Sequence, residues 1–376
     1  MKIGIFLSEE GFGHASRQIA ICESLLALRS DLSLVFFADR RIKFLSSRIN
    51  NFRVEFRKFS NPYYLVKDKL NALDIYKTYH HFLSSLHHRD YLIHSIIKIS
   101  SDIDIFISDG VPIVSQISSF YKKKSFSIQH FSWHWLLSTI HSRYFSLNNN
   151  DYYSISLKML EDYQRFTRVI KLPLSFSDDL ALLQSNCFSC SDLIISPDLL
   201  NDNSLNHRKN FILLMDNGTN SLKFTLESLS SQIATSRHSF ALRSSLMKPE
   251  IQRHYSKLKN VQSISSTREM HRLIPKVSGL IARGGFNTIS ESLFASTPCA
   301  LINENNNPEI SANLDLIRKN KLGLVFEPQD LRNNFMDVIN QLLSDELRLS
   351  AFRNHLTFRY DGANIISKFI LKSSNV

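Results

Sequence analysis

The sequence has little of the residue types that mark several special classes of protein. Only 10 glycines and 9 prolines occur among 376 residues, which excludes a collagen-like or low-complexity chain. No run of about 18 apolar residues is present, so no membrane-spanning helix is predicted. Glu9 and Glu10 interrupt the apolar start in a way that is not typical of a signal peptide. We therefore expect a cytoplasmic protein.

Cysteine is also scarce. The four cysteines are Cys22, Cys187, Cys190 and Cys299. Cys187 and Cys190 form one C-x-x-C pair, but no second pair and no suitably spaced pair of histidines completes a zinc site. We predict four unpaired thiols in a reducing compartment and no bound metal.

Acidic residues are outnumbered by basic ones, 34 to 45, which gives a net charge of +11. This balance favours an anionic partner such as a nucleotide, a phospholipid surface or a nucleic acid. The basic residues are scattered and no nucleic-acid-binding module is evident, so a nucleic acid is not expected. Peripheral contact with the anionic inner face of a membrane is expected, with Tyr63 and Tyr64 as the candidate exposed aromatic residues.

The sequence is rich in apolar residues, at 43% with 27 phenylalanines, and they fall in short runs. Nearly continuous apolar strands alternate with amphipathic helices from Lys2 to Ser196, and the alternation restarts at Phe211. This pattern indicates parallel sheets covered on both faces. We predict an α/β fold of two Rossmann-like, doubly wound domains that face each other across a cleft.

The predicted domains are residues 1–200 and 201–355, followed by a C-terminal helix within 356–376 that packs back toward the first domain. Three local predictions accompany this division. They are a helix over 177–189, a short strand over 193–196 and a polar linker over 197–210.

The first motif with chemical potential is the loop Gly11–Arg17, which follows a strand and opens a helix. Glycines allow a tight turn, and a helix N-terminus attracts negative charge. In one interpretation this is a dinucleotide-binding loop with Ser16 in place of the third glycine and Asp39 on the ribose. In the other, His14 is a general base. Asp109, at the end of another strand, is a candidate to orient His14, and a plain Asp-Gly turn is the alternative.

The strongest motif is an apolar strand that leads into Arg283-Gly284-Gly285 and then directly into a helix. Paired glycines and the helix dipole favour a bound phosphate, and Arg283 adds a positive charge. Asn287 and Glu291 are four residues apart and share a helix face. The Glu291 carboxylate suits the two hydroxyls of a ribose. The alternative is a helix start with glycines for close packing and a surface glutamate.

Two weaker motifs follow strands in the second half. The segment Asn303–Glu309 places polar groups after the strand Cys299–Ile302, where they suit sugar hydroxyls, with an Asn-rich turn as the alternative. Asn217 and Gly218 follow the first strand of the second domain and are either a second phosphate-facing loop or a simple turn.

These residues resemble a known superfamily. Arg283–Glu291 (RGGFNTISE) resembles the donor-binding signature of GT-B fold glycosyltransferases, such as UDP-glycosyltransferases and the N-acetylglucosaminyl transferase of peptidoglycan synthesis. Gly11–Arg17 (GFGHASR) resembles the N-terminal loop of this superfamily, most closely the glycosyltransferase-like domain of some L-arabinokinases. Phe131-Ser132-Trp133, Ser108-Asp109-Gly110 and Asp361-Gly362-Ala363 fit that likeness. The resemblance extends from residue 3 to about residue 370.

The resemblance implies an inverting, metal-independent hexosyltransferase that uses a nucleoside-diphosphate sugar, most often a UDP-sugar, and no cofactor. Residues 1–200 would bind the acceptor, which is expected to be lipid-linked or a carbohydrate, and 201–355 the donor. His14 would be the general base, with Asp109 as its partner. The implied donor-binding residues are Gly13, Asn217, Gly218, Arg283, Gly284, Gly285, Asn287, Thr288, Glu291 and Glu309. Ile310 stands where a glutamine is usual, which is a departure from the family pattern.

Other functions stay open on the sequence. A nucleotide-sugar epimerase has the same fold and needs no acceptor, and Ile310 favours a non-catalytic nucleotide or carbohydrate binder. A nucleic-acid binder would use the net charge. A nicotinamide dehydrogenase would bind its dinucleotide through Gly11–Ser16, but it gives no reason for the motif Arg283–Glu291.

Overall fold

Two parallel sheets organise the chain. The computed structural model describes residues 1–8, 10–68, 73–145, 150–176, 186–200, 209–215, 226–243, 247–304 and 306–374. The chain divides into two compact units. The first comprises Met1–Lys67, Leu73–Ile194 and Asp361–Val376, and the second comprises Asp68–Ala72 and Ile195–Tyr360.

The first unit contains a seven-stranded sheet in the order β3-β2-β1-β4-β5-β6-β7. Its strands are β1 Lys2–Leu7, β2 Ser33–Ala38, β3 Val54–Lys58, β4 Ile105–Asp109, β5 Lys124–Gln129, β6 Arg168–Lys171 and β7 Cys187–Ser189. Its helices are α1 Gly13–Leu28, α2 Ile42–Ser46, α3 Ile75–His87, α4 Arg89–Ile99, α5 Val114–Phe120, α6 Trp133–Tyr144, α7 Asn150–Arg165 and the C-terminal α17 Gly362–Ser373.

The apolar runs of β1 and β4 become central strands because both faces of this sheet are covered. On one face Phe6 stacks on Phe37 with ring centroids 4.1 Å apart, inside a core that helices α3 to α7 complete. On the other face α1 packs against α17, and the Ser367 hydroxyl donates a hydrogen bond to the Ile21 carbonyl at 3.3 Å. The last helix therefore belongs to the first unit.

The second unit contains a six-stranded parallel sheet in the order β10-β9-β8-β11-β12-β13. Its strands are β8 Lys209–Met215, β9 Ser239–Leu242, β10 Val261–Ser263, β11 Val277–Arg283, β12 Cys299–Ile302 and β13 Leu324–Phe326. Its helices are α8 Pro197–Leu200, α9 Ser230–Thr235, α10 Pro249–Tyr255, α11 Thr267–Leu273, α12 Phe286–Phe294, α13 Pro308–Asn320, α14 Pro328–Asn333, α15 Phe335–Leu342 and α16 Asp345–Thr357, with a 3-10 turn at Ile274–Lys276.

In both sheets the strand order reverses direction beside the first strand, between β1 and β4 and between β8 and β11. Ligands of open α/β sheets bind at the carboxyl ends of the strands that flank such a reversal. The predicted α/β class with two doubly wound sheets is confirmed.

Two local predictions were wrong and one strand was missed. In place of the predicted helix 177–189, Cys187–Ser189 form strand β7. Residues 177–185 lie outside the described residues. Leu193–Ser196 is not a strand, because the segment pairs with no neighbour and instead receives a hydrogen bond from Gly362 N–H to the Leu193 carbonyl at 3.2 Å. Strand β6 was missed because its four residues, RVIK, include only two apolar side chains.

The predicted linker 197–210 begins with helix α8 and ends in strand β8, and residues 201–208 lie outside the described part of the chain. Gly362 has a packing role at the return of the chain to the first unit. A Cβ at that position would lie 2.4 Å from the Asp192 carbonyl oxygen, so only glycine fits.

Tyr63 is not an exposed aromatic residue, so that expectation was wrong. It is 2% exposed, stacks on Phe82 with centroids 5.8 Å apart, and accepts a hydrogen bond from Arg89 Nη1 at 3.1 Å. Tyr64 is partly buried, and the centroid of its ring lies 3.9 Å from that of the His81 ring.

All four cysteines are free, as predicted. Among the described residues, no helix has the length and hydropathy needed to cross a bilayer. The described residues also contain no group of three or more histidines, cysteines or acidic residues that could together hold a metal ion.

Candidate active site

His14 and Asp109 meet at the carboxyl ends of β1 and β4 in the first unit. Asp109 ends β4 and is fully buried, and its Oδ1 lies 2.5 Å from Nδ1 of His14. Arg17 Nη2 also lies 2.7 Å from His14 Nδ1. Because a carboxylate only accepts hydrogen bonds, we assign the hydrogen to Nδ1 and the basic position of the ring to Nε2. The His14 side chain keeps 11% of its surface exposed. The two residues are thus arranged as an imidazole oriented by a carboxylate.

Two further side chains on α1 bind the same carboxylate, and sequence reasoning missed both. Arg17 Nε donates to Asp109 Oδ2 at 2.6 Å, and Arg17 Nη2 bonds Oδ1. Gln18 Nε2 donates to Oδ2 at 2.8 Å. Helical spacing could have identified them, because residues three and four positions after His14 lie on the same side of the helix.

The Asp109 carboxylate stays ionised in this site. Burial by itself raises its pKa, but the charges of Arg17 and His14 and their hydrogen bonds outweigh burial. The net result is a pKa well below the ordinary value of an aspartate. Arg17 therefore neutralises the buried charge of Asp109, and His14 contacts the same carboxylate.

Gly110 allows this close approach. Its φ is +77°, in the left-handed region, and a Cβ would lie 2.8 Å from Ser8 Cβ and 3.3 Å from His14 Cε1. A side chain at position 110 would therefore strain the turn and press on the His14 ring.

The second candidate site lies in the second unit, where β11 ends at Arg283 and α12 begins at Phe286. Gly285 is the N-cap and offers no side chain to cap the helix, whose first N–H groups have no acceptor within the helix. Arg283 Nη2 lies 2.7 Å from Oε2 of Glu304, which follows β12. The buried Nε–H of Arg283 has no partner among the described residues.

The two adjacent glycines have different roles. A Cβ at Gly284 would lie 2.5 Å from Leu314 Cδ2, so Gly284 is required by packing against α13. A Cβ at Gly285 would approach no heavy atom closer than Thr288 Oγ1 at 4.0 Å. Open space therefore lies beside Gly285 at the helix N-terminus, where an anion binds favourably.

Glu291 is not a surface glutamate, so that part of the alternative is wrong, while Gly284 does serve close packing. It is 1% exposed, and its Oε2 lies 2.5 Å from Nδ1 of His271 on α11. His271 was missed because it lies 20 residues away on another helix, and no spacing rule connects the two positions. Asn287, one turn earlier on α12, is partly buried.

The remaining predicted site residues are dispersed. Thr288 is buried at 3% exposure in the first turn of α12. Glu309 is partly buried in the first turn of α13, whose N-cap Asn307 accepts a hydrogen bond from Ile310 N–H at 3.4 Å. Gly13 opens α1 in the first unit, apart in the sequence from the other donor-binding candidates. Asn217 and Gly218 lie outside the described residues.

Comparison with known proteins defines the fold. No protein-family model and no curated protein sequence matches the chain. Solved structures do match. CalG4, the calicheamicin glycosyltransferase, is 12% identical with a TM-score of 0.66, over 99% of this chain and 96% of that one. The glycosyltransferase VinC in complex with dTDP is 11% identical with a TM-score of 0.66, over 100% of both chains.

A third similar structure is a UDP-glucosyltransferase from Polygonum tinctorium capable of glucosylating indoxyl. It is 14% identical with a TM-score of 0.66, over 100% of this chain and 98% of that one. The chain therefore has the GT-B fold of these glycosyltransferases along its whole length. The resemblance of fold predicted from the sequence motifs is confirmed.

Proposed function

We propose that the protein is a glycosyltransferase that uses a nucleoside-diphosphate sugar as its donor, with a UDP-sugar as the favoured candidate. The observation that carries this proposal is the end of β11, where Arg283, the open space beside Gly285 and the N-terminus of α12 converge. Structures of similar fold were solved with UDP and with dTDP, which supports a nucleoside diphosphate as the ligand.

In the proposed reaction a hydroxyl oxygen of the acceptor attacks the anomeric carbon of the sugar as the bond to the diphosphate breaks. His14 Nε2 takes the hydroxyl proton, and Asp109 holds the ring and stabilises the imidazolium that forms. A single displacement of this kind inverts the anomeric configuration. The leaving diphosphate gains negative charge, which Arg283 and the N-terminus of α12 compensate without a metal ion in this proposal.

Glu291 is proposed to bind the ribose, with His271 holding its carboxylate in position. Glu291 is buried and its Oε2 lies 2.5 Å from His271 Nδ1, so in this proposal His271 fixes the orientation of the carboxylate. Ile310 is 1% exposed in the core, so the position where a glutamine is usual offers no group to the sugar. Glu309 is proposed to lie near the donor sugar on the strength of the family resemblance.

Binding of a nucleoside diphosphate is the first expected result. Calorimetric titration with UDP, dTDP, GDP and NAD should give a micromolar Kd for one nucleoside diphosphate and weaker binding of NAD. Glu291→Gln and His271→Asn should each raise that Kd about tenfold, the loss of one charge-assisted hydrogen bond. Asp315→Asn is the matched control, because Asp315 is exposed on α13 and its ion pair with Arg318 lies within the same helix. Failure of every nucleotide to bind would refute the proposal.

Substitution of the paired glycines should separate packing from ligand binding. Gly285→Ala is expected to leave stability within about 1 kcal/mol of the wild type and to raise the Kd for UDP about tenfold, because the methyl group enters the open space. Gly284→Ala is expected to destabilise the fold by about 1–3 kcal/mol through overpacking against Leu314. Denaturant unfolding and calorimetry measure the two quantities. Equal effects of both variants on stability would contradict this assignment.

A nucleotide-sugar epimerase and a non-catalytic binder are the rival functions. The buried Ile310 favours the binder, because the expected sugar-binding amide is missing. Incubation with UDP-sugars, with and without a panel of phenolic and carbohydrate acceptors, distinguishes the three by mass spectrometry and NMR. A glycosylated acceptor supports transfer, a free epimerised sugar supports epimerisation, and unchanged donor with measurable binding supports the binder.

A further inference from the structure

The cation proposed to hold the diphosphate is already paired in the structure. Arg283 Nη2 lies 2.7 Å from Oε2 of Glu304, whose side chain is only 7% exposed. Arg283 ends β11 and Glu304 follows β12, the adjacent strand, with Arg283 in register with Ile302. The pair is therefore built into the carboxyl edge of the second sheet, at the site of the proposed donor.

Glu304 is fixed in this position by its neighbours. Asn307 Nδ2 donates to Glu304 Oε2 at 2.9 Å, and Asn307 also caps α13. The Glu304 N–H donates to Asn303 Oδ1 at 2.9 Å. Asn307 therefore holds the carboxylate in its place next to Arg283.

The Arg283 side chain is 20% exposed, and its Nη2 is held by Glu304. Its Nε–H is buried and has no partner among the described residues. An anion that binds the exposed part of the guanidinium lies close to the Glu304 carboxylate. The repulsion between like charges at that distance is substantial in a site of low effective dielectric constant.

This repulsion distinguishes the two nucleotides of the proposed reaction. A nucleoside-diphosphate sugar is a diphosphate diester, and the released nucleoside diphosphate carries about one more negative charge near neutral pH because its terminal phosphate titrates with a pKa near 6. We propose that Glu304 is a positioning residue that acts through Arg283 and weakens binding of the released nucleoside diphosphate more than binding of the donor. It would thereby favour product release. The inference rests on the proposed function.

The test is Glu304→Gln, which keeps the shape of the side chain and removes its charge. Calorimetry with UDP should show a Kd about tenfold lower than that of the wild type, and a smaller gain for the UDP-sugar. Inhibition of transfer by UDP should strengthen by the same factor, with kcat reduced where release limits turnover. Glu304→Ala serves as a second neutral variant if the glutamine variant does not fold, and Asp315→Asn controls for overall charge.

A double-variant cycle separates this effect from a structural role. On an Arg283→Gln background, Glu304→Gln should tighten UDP binding less than it does in the wild type, because the anion is no longer drawn to the guanidinium beside the carboxylate. If Glu304→Gln leaves the UDP affinity unchanged or weakens it, the inference is wrong while the proposed function stands. If the wild type binds no nucleotide, the proposed function and this inference both fail.

Discussion

Substitution of His14 by glutamine is expected to lower the rate of sugar transfer by about two to four orders of magnitude. Affinity for the nucleoside diphosphate is expected to change by less than about twofold, because the contacts proposed for the diphosphate and the ribose, at Arg283, Gly285 and Glu291, lie in the second unit. The rate loss follows from the geometry, since Nδ1 is bonded to Asp109 and Nε2 is left as the base. Glutamine has no group that takes up a proton near neutral pH.

The measurement is the rate of nucleoside-diphosphate release in the presence of an acceptor found in the panel, with calorimetry on the same samples. His94→Gln is the matched control, because His94 is an exposed histidine of the first unit whose Nδ1 lies 2.7 Å from the Asp90 carbonyl oxygen of its own helix. The control should keep the wild-type rate. A His14→Gln variant that retains more than about a tenth of the rate would rule out the general-base role.

A different failure would be equally informative. If His14→Gln abolishes nucleotide binding, the loop Gly11–Arg17 is a nucleotide site, as the dinucleotide interpretation of that motif holds. The closeness of Nδ1 to Asp109 argues against this, because that contact orients the ring toward proton transfer instead of a phosphate.

The sequence predicted the parts of the fold that depend on long, nearly continuous apolar strands. Strands β1, β4, β11 and β12 read clearly because both of their faces are buried and the next residues are glycine or polar. Strand β6 failed the same rule because two of its four residues are charged. Its position is set by pairing with β5, which no local pattern encodes.

The candidate site shows the same division between local and tertiary information. The meeting of His14 with Asp109 was predictable because both follow strands whose carboxyl ends lie on one edge of a sheet. The contact of Glu291 with His271 was not, since it depends on how α11 packs against α12. The different roles of Gly284 and Gly285 likewise depend on where Leu314 lies.

Asp109→Asn is expected to cost about 3–5 kcal/mol of stability near pH 7. The substitution leaves Arg17, which is 3% exposed, as a buried cation without its counter-ion. Asp102→Asn is the matched control. Asp102 also pairs with cations, Arg57 and Lys2, but its side chain is 41% exposed, so the expected cost is at most about 1 kcal/mol.

The stability lost in Asp109→Asn is expected to depend on pH. The pKa of Asp109 is lower in the folded protein than its ordinary value of about 4. Its contribution to stability is therefore fully present above about pH 5 and is lost progressively as the pH falls through 4 toward the folded pKa. The stability gap between the wild type and Asp109→Asn should shrink over that range, as measured by urea unfolding at a series of pH values.

A second substitution tests whether the buried charge is the cause. In Arg17→Met with Asp109→Asn, no uncompensated buried charge remains, so much of the lost stability should return. The single Arg17→Met variant should be destabilised, because it removes the arginine counter-ion and leaves His14 and Gln18 as the described donors to the Asp109 carboxylate. If the double variant is as unstable as the sum of the single variants, the stability of this cluster comes from packing and not from the ion pair.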